Sequence, residues 1–191
     1  MPPLLAIGRV ARLQVQRSSL KVGLGAARSY DPGPIVAVPA LAVGPDGALG
    51  LLEGDETIVD VHNRRHPISK NRDSNGLSVG FTTHYRAMRA RFGAHLVDGI
   101  AGENLLVQTD RDYRADDLAG TLLIGSASLT ELTAAEPCEP FSRFALAGRL
   151  DGPVDRRVAE ALRFLRHGTR GYYATCLAEA IVRLGDRVYL L

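Results

Sequence analysis

The sequence predicts a β-rich α+β domain whose sheet curls towards a barrel, with a few flanking helices. Three observations predict it. Short apolar segments of strand character recur along the chain, set apart by Gly, Pro, Asn and Asp. Only two segments carry a clear helical period. The 191 residues, 46% of them hydrophobic, suffice for one sizeable core and contain no composition shift that would mark a second domain.

The elements follow in chain order. In "IGRVARLQVQ", Ile7, Arg9, Ala11, Leu13 and Val15 alternate with Gly8, Val10, Arg12, Gln14 and Gln16, which reads as a strand. "IVAVPALAVGPDGALGLL" reads as two extended segments around Pro45-Asp46-Gly47, whose residue types favour a turn. "ETIVDVH" is a further short strand. "GLSVGF" leads into "TTHYRAMRARFG", where Thr82 or Thr83 is expected to cap a helix that Gly93 closes. "ENLLVQT", "GTLLIG" and "ASLTELT" are three more strands. In "TAAEPCEPF", Pro137 and Pro140 oppose a regular helix and predict a stiff, irregular turn around Cys138.

"DGPVDRRVAEALRFLRHG" is the clearest helix, with Pro153 suited to its first position and Gly168 to the position just past its end. Val154, Val158, Ala161, Leu162 and Leu165 form its apolar stripe, and Arg156, Arg157, Arg163 and Arg166 lie largely off it. "GYYATCLAEAIVRLGDRVYLL" returns to strand with a tight turn at Gly185-Asp186. No repeat or low-complexity tract interrupts the chain, so residues 1–191 read as a single domain.

Composition excludes several classes. A net charge of +2 is too small to indicate nucleic acid. No run approaches the roughly 20 apolar residues of a membrane span. Arg9, Arg12 and Arg17 break up the first twenty residues, so a cytoplasmic location is expected. Two cysteines, Cys138 and Cys176, make no disulfide framework. There is no G-x-S-x-G elbow, Walker loop, paired C-x-x-C or set of four clustered cysteines.

The most suggestive polar segment is "VHNRRHPISKNRDSNG". From His62 to Arg72 it carries Arg64, Arg65, Lys70 and Arg72 and no acid, a pattern that suits an anion such as phosphate as well as it suits a solvated loop. His62 and His66 stand four apart, but Pro67 opposes the helix that would align them, which argues against zinc. Gly102-Glu103-Asn104 forms a turn at the mouth of a strand, where Asn can donate and accept at once. In "RHGTRGYY", Arg166, His167 and Arg170 gather around two glycines. Of Tyr172 and Tyr173, only one can face a given cavity, because neighbouring strand residues point opposite ways. Cys176 reads as a buried small hydrophobe. Cys138, between Glu136 and Glu139, is either an inert hydrophobe of the same kind or a ligand for something that removes its proton.

Taken together, "DGIAGENLLV", "LTELTAAEPCEPF" and "RHGTRGYYATCLAEAIVRLGDRVYLL" resemble, in order and spacing, the glycine–Glu–Asn turn, Pro–Cys element and closing Gly-x-Tyr and Gly-Asp strands of the MOSC domain family. The opening "IGRVARLQVQ" resembles its first strand, so the likeness covers about Ile7 to Leu191 and implies a stand-alone MOSC protein with a barrel-like sheet. Two departures are visible: "HNRRHP" and a longer basic loop replace the family's His-Gly-Gly segment, and Glu179-Ala180 replaces a Glu-Gly turn.

The resemblance implies a molybdenum cofactor (a molybdopterin) with Cys138 as metal ligand and catalytic residue. It further implies Asn104, Tyr173 and Arg170 as cofactor contacts, and Arg64, Arg65 and Arg72 as the hold on the pterin's phosphate. Two functions are compatible with it. One is a reductase of N-hydroxylated small-molecule substrates, fed by an external electron-transfer protein, with Glu136, Glu139, His167 or a metal-bound water as proton source. The other is a carrier that takes sulfur from a donor onto a Cys138 persulfide. Pyridoxal phosphate is disfavoured, because its Schiff base would have to use Lys21 or Lys70.

Overall fold

The computed structural model describes residues 4–147 and 154–191. Its strands are β1 (Leu5–Gln16), β2 (Lys21–Val22), β3 (Ser29–Tyr30), β4 (Ile35–Ala37), β5 (Ala40–Gly44), β6 (Gly47–Leu51) and β7 (Thr57–Val59). They continue with β8 (Leu77–Phe81), β9 (Leu105–Gln108), β10 (Leu122–Ile124), β11 (Ala127–Ala134), β12 (Tyr172–Cys176), β13 (Ala180–Arg183) and β14 (Arg187–Leu190). Three α-helices are described: α1 (Thr82–Phe92), α2 (Glu139–Leu146) and α3 (Val154–Leu165).

The long first strand closes the sheet. β1 pairs with β14 from Leu5 to Arg9 and with β9 from Arg9 to Leu13. The circuit β1-β14-β10-β11-β12-β8-β9 is therefore a closed seven-strand barrel, antiparallel throughout except between β8 and β9. Closure leaves no exposed edge among these strands. A second sheet, β13-β5-β6-β7, lies beside it, and β2-β3 forms a small hairpin.

Alternation along the strands sorts side chains into two cores. Leu13, Val15, Val79, Phe81, Leu105, Val107, Leu129, Tyr172 and Val188 fill the barrel. Tyr85, Met88 and Phe92 of α1 meet Phe141 and Ala145 of α2 and Ala161 and Leu165 of α3 in a second cluster. The expected α3 stripe is thus present at Val158, Ala161 and Leu165, whereas Leu162 is only half-buried and Pro153 lies outside the described residues.

Two local expectations are corrected. Strand β8 runs straight into α1, whose N-cap is Phe81 with no side-chain cap; the Thr82 hydroxyl instead accepts from the Thr109 N–H at 3.2 Å. Gly93 does close the helix, at φ +125°. The segment after Cys138 is a helix and not an irregular turn, because Pro140 falls in its first turn, where the missing N–H is not needed. The turns at residues 45–47 and 184–186 are as expected, with Gly47 at φ +108° and Gly185 at φ +83°. Among the described residues, no helix is long and apolar enough to cross a membrane.

Candidate functional site

A cavity of about 240 Å³ opens between the β2–β3 hairpin, the loop joining β7 to β8, the turn at residues 102–104, the segment leading into α2 and the start of β12. Cys138 lines it. The residue sits at the N-cap of α2 in extended conformation (φ −119°, ψ 150°) and is half-buried, with no hydrogen bond from its thiol into the helix. Its carbonyl, not its sulfur, accepts from the Ser142 N–H and hydroxyl, both at 3.0 Å.

The thiol's electrostatic setting differs from the one expected. Glu139 turns away to pair with Arg143 at 2.7 Å, and only Glu136 remains at the cavity. Arg170 joins the wall, held by donation to the Ala101 carbonyl and by its place 4.6 Å over the Phe141 ring. Burial works against the Arg170 charge, but the Tyr30, Glu103, Tyr85 and Cys138 groups more than offset it and hold its pKa above the ordinary value.

Behind Arg170 lies Glu103, only 3% exposed. Its Oε2 accepts from the Tyr85 hydroxyl at 2.8 Å, which in turn accepts from the Ala101 N–H at 2.9 Å; Oε1 has no hydrogen-bond partner among the described residues. Burial raises the Glu103 pKa despite Arg170 and Tyr85, which favour the charge. The turn that carries Glu103 requires glycine at its first position. Gly102 has φ +87°, and a Cβ there would come within 2.5 Å of Leu20 Cδ1.

Four cations complete the lining: Lys21 and Arg28 from the β2–β3 hairpin, Lys70 and Arg72 from the β7–β8 loop. None of the four forms an ion pair with a described residue. Arg64 and Arg65, expected beside Arg72, are not in the lining. Arg64 pairs with Asp73 at 2.7 Å and Arg65 with Asp46 at 2.7 Å, both at the exposed surface. The basic loop is real, but its charge faces the cavity only at its far end.

Asn104 is likewise corrected. It is 2% exposed and outside the cavity lining. Its Oδ1 accepts from the Ser78 N–H (3.0 Å) and hydroxyl (3.1 Å), and its Nδ2 donates to Asp60 Oδ2 (3.0 Å) and the Gln14 carbonyl (3.3 Å). With those bonds made, the side chain is spent on the frame of the site. Asp60, fully buried, also accepts from the Gln16 N–H (2.7 Å) and the His62 N–H (2.8 Å), and His62 reaches the cavity.

Both tyrosines border the cavity, but their side chains differ in burial. Tyr172 points into the barrel, where its hydroxyl donates to the Tyr113 carbonyl at 3.1 Å, and Tyr173 is half-buried at the cavity. Cys176 is buried, its thiol donating to the Ala178 carbonyl. His167 is exposed at φ +56° and outside the lining. Sequence reasoning missed Lys21, Arg28, Tyr30 and Asp60. The only trace was "LKVGLGAARSY", a glycine-containing stretch bracketed by two cations.

A family model described as MOSC domain matches residues 72–189. Among solved structures, the chain is similar to the YUAD protein from Bacillus subtilis, at 14% identity over 100% of both chains, with a TM-score of 0.64. It is also similar to YiiM from Geobacillus stearothermophilus, at 16% identity and TM-score 0.51 over 99% of this chain and 75% of that one. YiiM from Escherichia coli aligns at 12% identity and TM-score 0.51, over 96% and 69%. At these identities the likeness is one of fold. No match is found among the curated proteins.

Proposed function

Since the chain belongs to the MOSC domain family, we propose that it holds a molybdenum–pterin cofactor in this cavity and reduces N-hydroxylated small molecules. One observation carries the reading: a half-buried thiol, Cys138, shares a cavity with Lys21, Arg28, Lys70 and Arg72, none of which forms an ion pair with a described residue. The donor set fits such a group. A thiolate is a soft ligand suited to a redox metal, and unpaired Lys and Arg side chains suit a phosphate.

Cys138 would hold the metal, and Arg72 with Lys70, joined by Lys21 and Arg28 from the facing hairpin, would hold the phosphate. Tyr173 and Arg170 would flank the bound group. When bound, the group supplies two-electron redox chemistry. Because the sequence carries no iron–sulfur or flavin motif, the electrons come from a separate protein. Lys21 and Lys70, the chain's two lysines, both line the mouth but are exposed, whereas a Schiff-base lysine for pyridoxal phosphate is one shielded from water.

The test is elemental analysis of protein made in a cofactor-competent host, with dye-driven reduction of an N-hydroxylated base. About one molybdenum per chain, lost in Cys138→Ser together with activity, is expected. Metal retained in Cys138→Ser would overturn the assignment.

A second reading, a sulfur carrier using a Cys138 persulfide, draws support from Arg170, a cation that lines the same cavity as the thiol. Metal-free protein that accumulates a persulfide on Cys138 would favour it over the reductase.

A further inference from the structure

The cavity contains a feature that metal and phosphate binding leave unused. The imidazole of His62 lines it with 22% of the side chain exposed, and its Nδ1 lies 3.2 Å from Oδ1 of Asp60. That carboxylate is fully buried and takes donors on both oxygens: the Gln16 N–H and the Asn104 amide on Oδ2, the His62 N–H on Oδ1. A carboxylate surrounded by donors acts as an acceptor, so Nδ1 carries hydrogen and Nε2 is the nitrogen left to gain and lose a proton. The ring's backbone is fixed as well, since the Asn71 side-chain amide donates to the His62 carbonyl at 2.7 Å.

We propose that His62, aimed by Asp60 and at one remove by Asn104, is the proton donor of this cavity. The proposal rests on the reductase reading. Conversion of R–NH–OH to R–NH₂ and water breaks the N–O bond and consumes two electrons, which the external redox protein supplies, and two protons. The Nε2–H of protonated His62 gives one proton to the departing oxygen. Nε2 then recovers a proton from solvent through the ring's exposed edge, and the second proton also comes from solvent.

The other acids near the cavity are committed elsewhere or lie at the rim. Glu139 pairs with Arg143, and His167 lies outside the lining. Glu103 has one oxygen on Tyr85 and the other packed where a Cβ on Gly80 would meet it at 2.9 Å. The Tyr30 hydroxyl donates to the Ile100 carbonyl at 2.8 Å. Glu136 is exposed. Charges sharing the cavity with His62 are Lys70 and Arg72 on its own loop and Lys21 and Arg28 on the hairpin. Across from them stand Glu103, Glu136 and Arg170.

Three measurements on the full chain test the assignment. In metal-free wild-type protein, ¹⁵N NMR of the His62 ring should show hydrogen on Nδ1; an Nε2–H tautomer at high pH would overturn it. In molybdenum-loaded protein, the wild-type rate should fall with rising pH. His62→Gln should lower kcat about 10²-fold and remove that dependence at unchanged molybdenum content. Added imidazole should restore part of the rate in His62→Ala. An active wild type with an unchanged His62→Gln profile overturns the proton assignment alone. Loaded wild-type protein that reduces no N-hydroxylated base overturns the reductase reading, and the proton assignment with it.

Discussion

The side-chain amide of Asn104 donates to Asp60 Oδ2 at 3.0 Å, joining two segments 44 residues apart behind the cavity. Asn104 thereby supports the frame of the site, and its neighbours at the surface of the cavity owe their positions to it. Its truncation should act first on stability. Asn104→Ala removes one partner each from the half-buried Ser78 N–H and the buried Asp60. A hydrogen bond lost at such a group costs about 1–3 kcal/mol, so a loss of about 2–4 kcal/mol in urea unfolding is expected. Unchanged stability with lost cofactor would instead mean direct contact with the ligand.

Substitution at Cys138 should separate folding from binding. Its thiol makes no cap bond, yet it occupies the N-cap of α2. Serine there can accept from the helix's free N–H groups, so Cys138→Ser should raise stability by up to about 1 kcal/mol while abolishing metal retention. Thermal unfolding and metal analysis of the same preparation check both directions.

The two halves of the basic loop should respond differently. Arg64→Ala and Arg65→Ala each break an exposed ion pair and should change stability by less than about 1 kcal/mol and leave cofactor content unchanged. Lys70→Ala with Arg72→Ala removes two cavity cations and should weaken retention of a phosphate-bearing ligand by about tenfold or more, with a shallower salt dependence. Dialysis against increasing salt distinguishes the pairs.

Two buried groups set opposite limits on stability against pH. Burial lowers the His84 pKa, opposed by its bond to the Tyr113 carbonyl. The unfolded chain therefore binds a proton at about pH 6.5 that the folded chain does not yet take up, and stability falls as pH drops below that value, by up to about 1.4 kcal/mol per unit. Burial raises the Glu103 pKa, so the folded chain keeps its proton longer than the unfolded one, and the stability this confers at low pH is lost as pH rises through the folded value. Urea unfolding from pH 4 to 8 should show both slopes; His84→Gln should flatten the first and Glu103→Gln the second.

Much of the frame is legible in the residues themselves. The period of two in β12, the turn chemistry at residues 45–47 and 184–186, and the Gly93 helix stop are short-range effects of sterics and dihedral preference, whereas two register shifts break the expected alternation of β1, so that Val10 is buried and Arg9 and Ala11 are exposed. The same local rule puts the Tyr172 hydroxyl in the barrel and leaves Tyr173 half-buried at the cavity that both residues border. Helix α2 escaped notice because proline's effect depends on whether it stands inside a helix or in its first turn, and where the helix begins is set by the packing of Phe141 and Ala145 against α1 and α3.

The sequence by itself determined a β-rich domain, a thiol set between two prolines and a loop dense in cations. Tertiary structure alone decided which of those cations matter. Asp46 and Asp73 fold back onto Arg65 and Arg64 and neutralise them, while Lys21 and Arg28, about 40 residues or more upstream in sequence, reach the same cavity as Arg72 without an ion pair among the described residues. It also committed the Asn104 amide to Gln14, Asp60 and Ser78, residues 90, 44 and 26 positions away. Charge pairing and hydrogen-bond capacity are settled by whatever lies within a few ångströms in space, and a closed barrel brings together groups whose order along the chain says nothing of that distance.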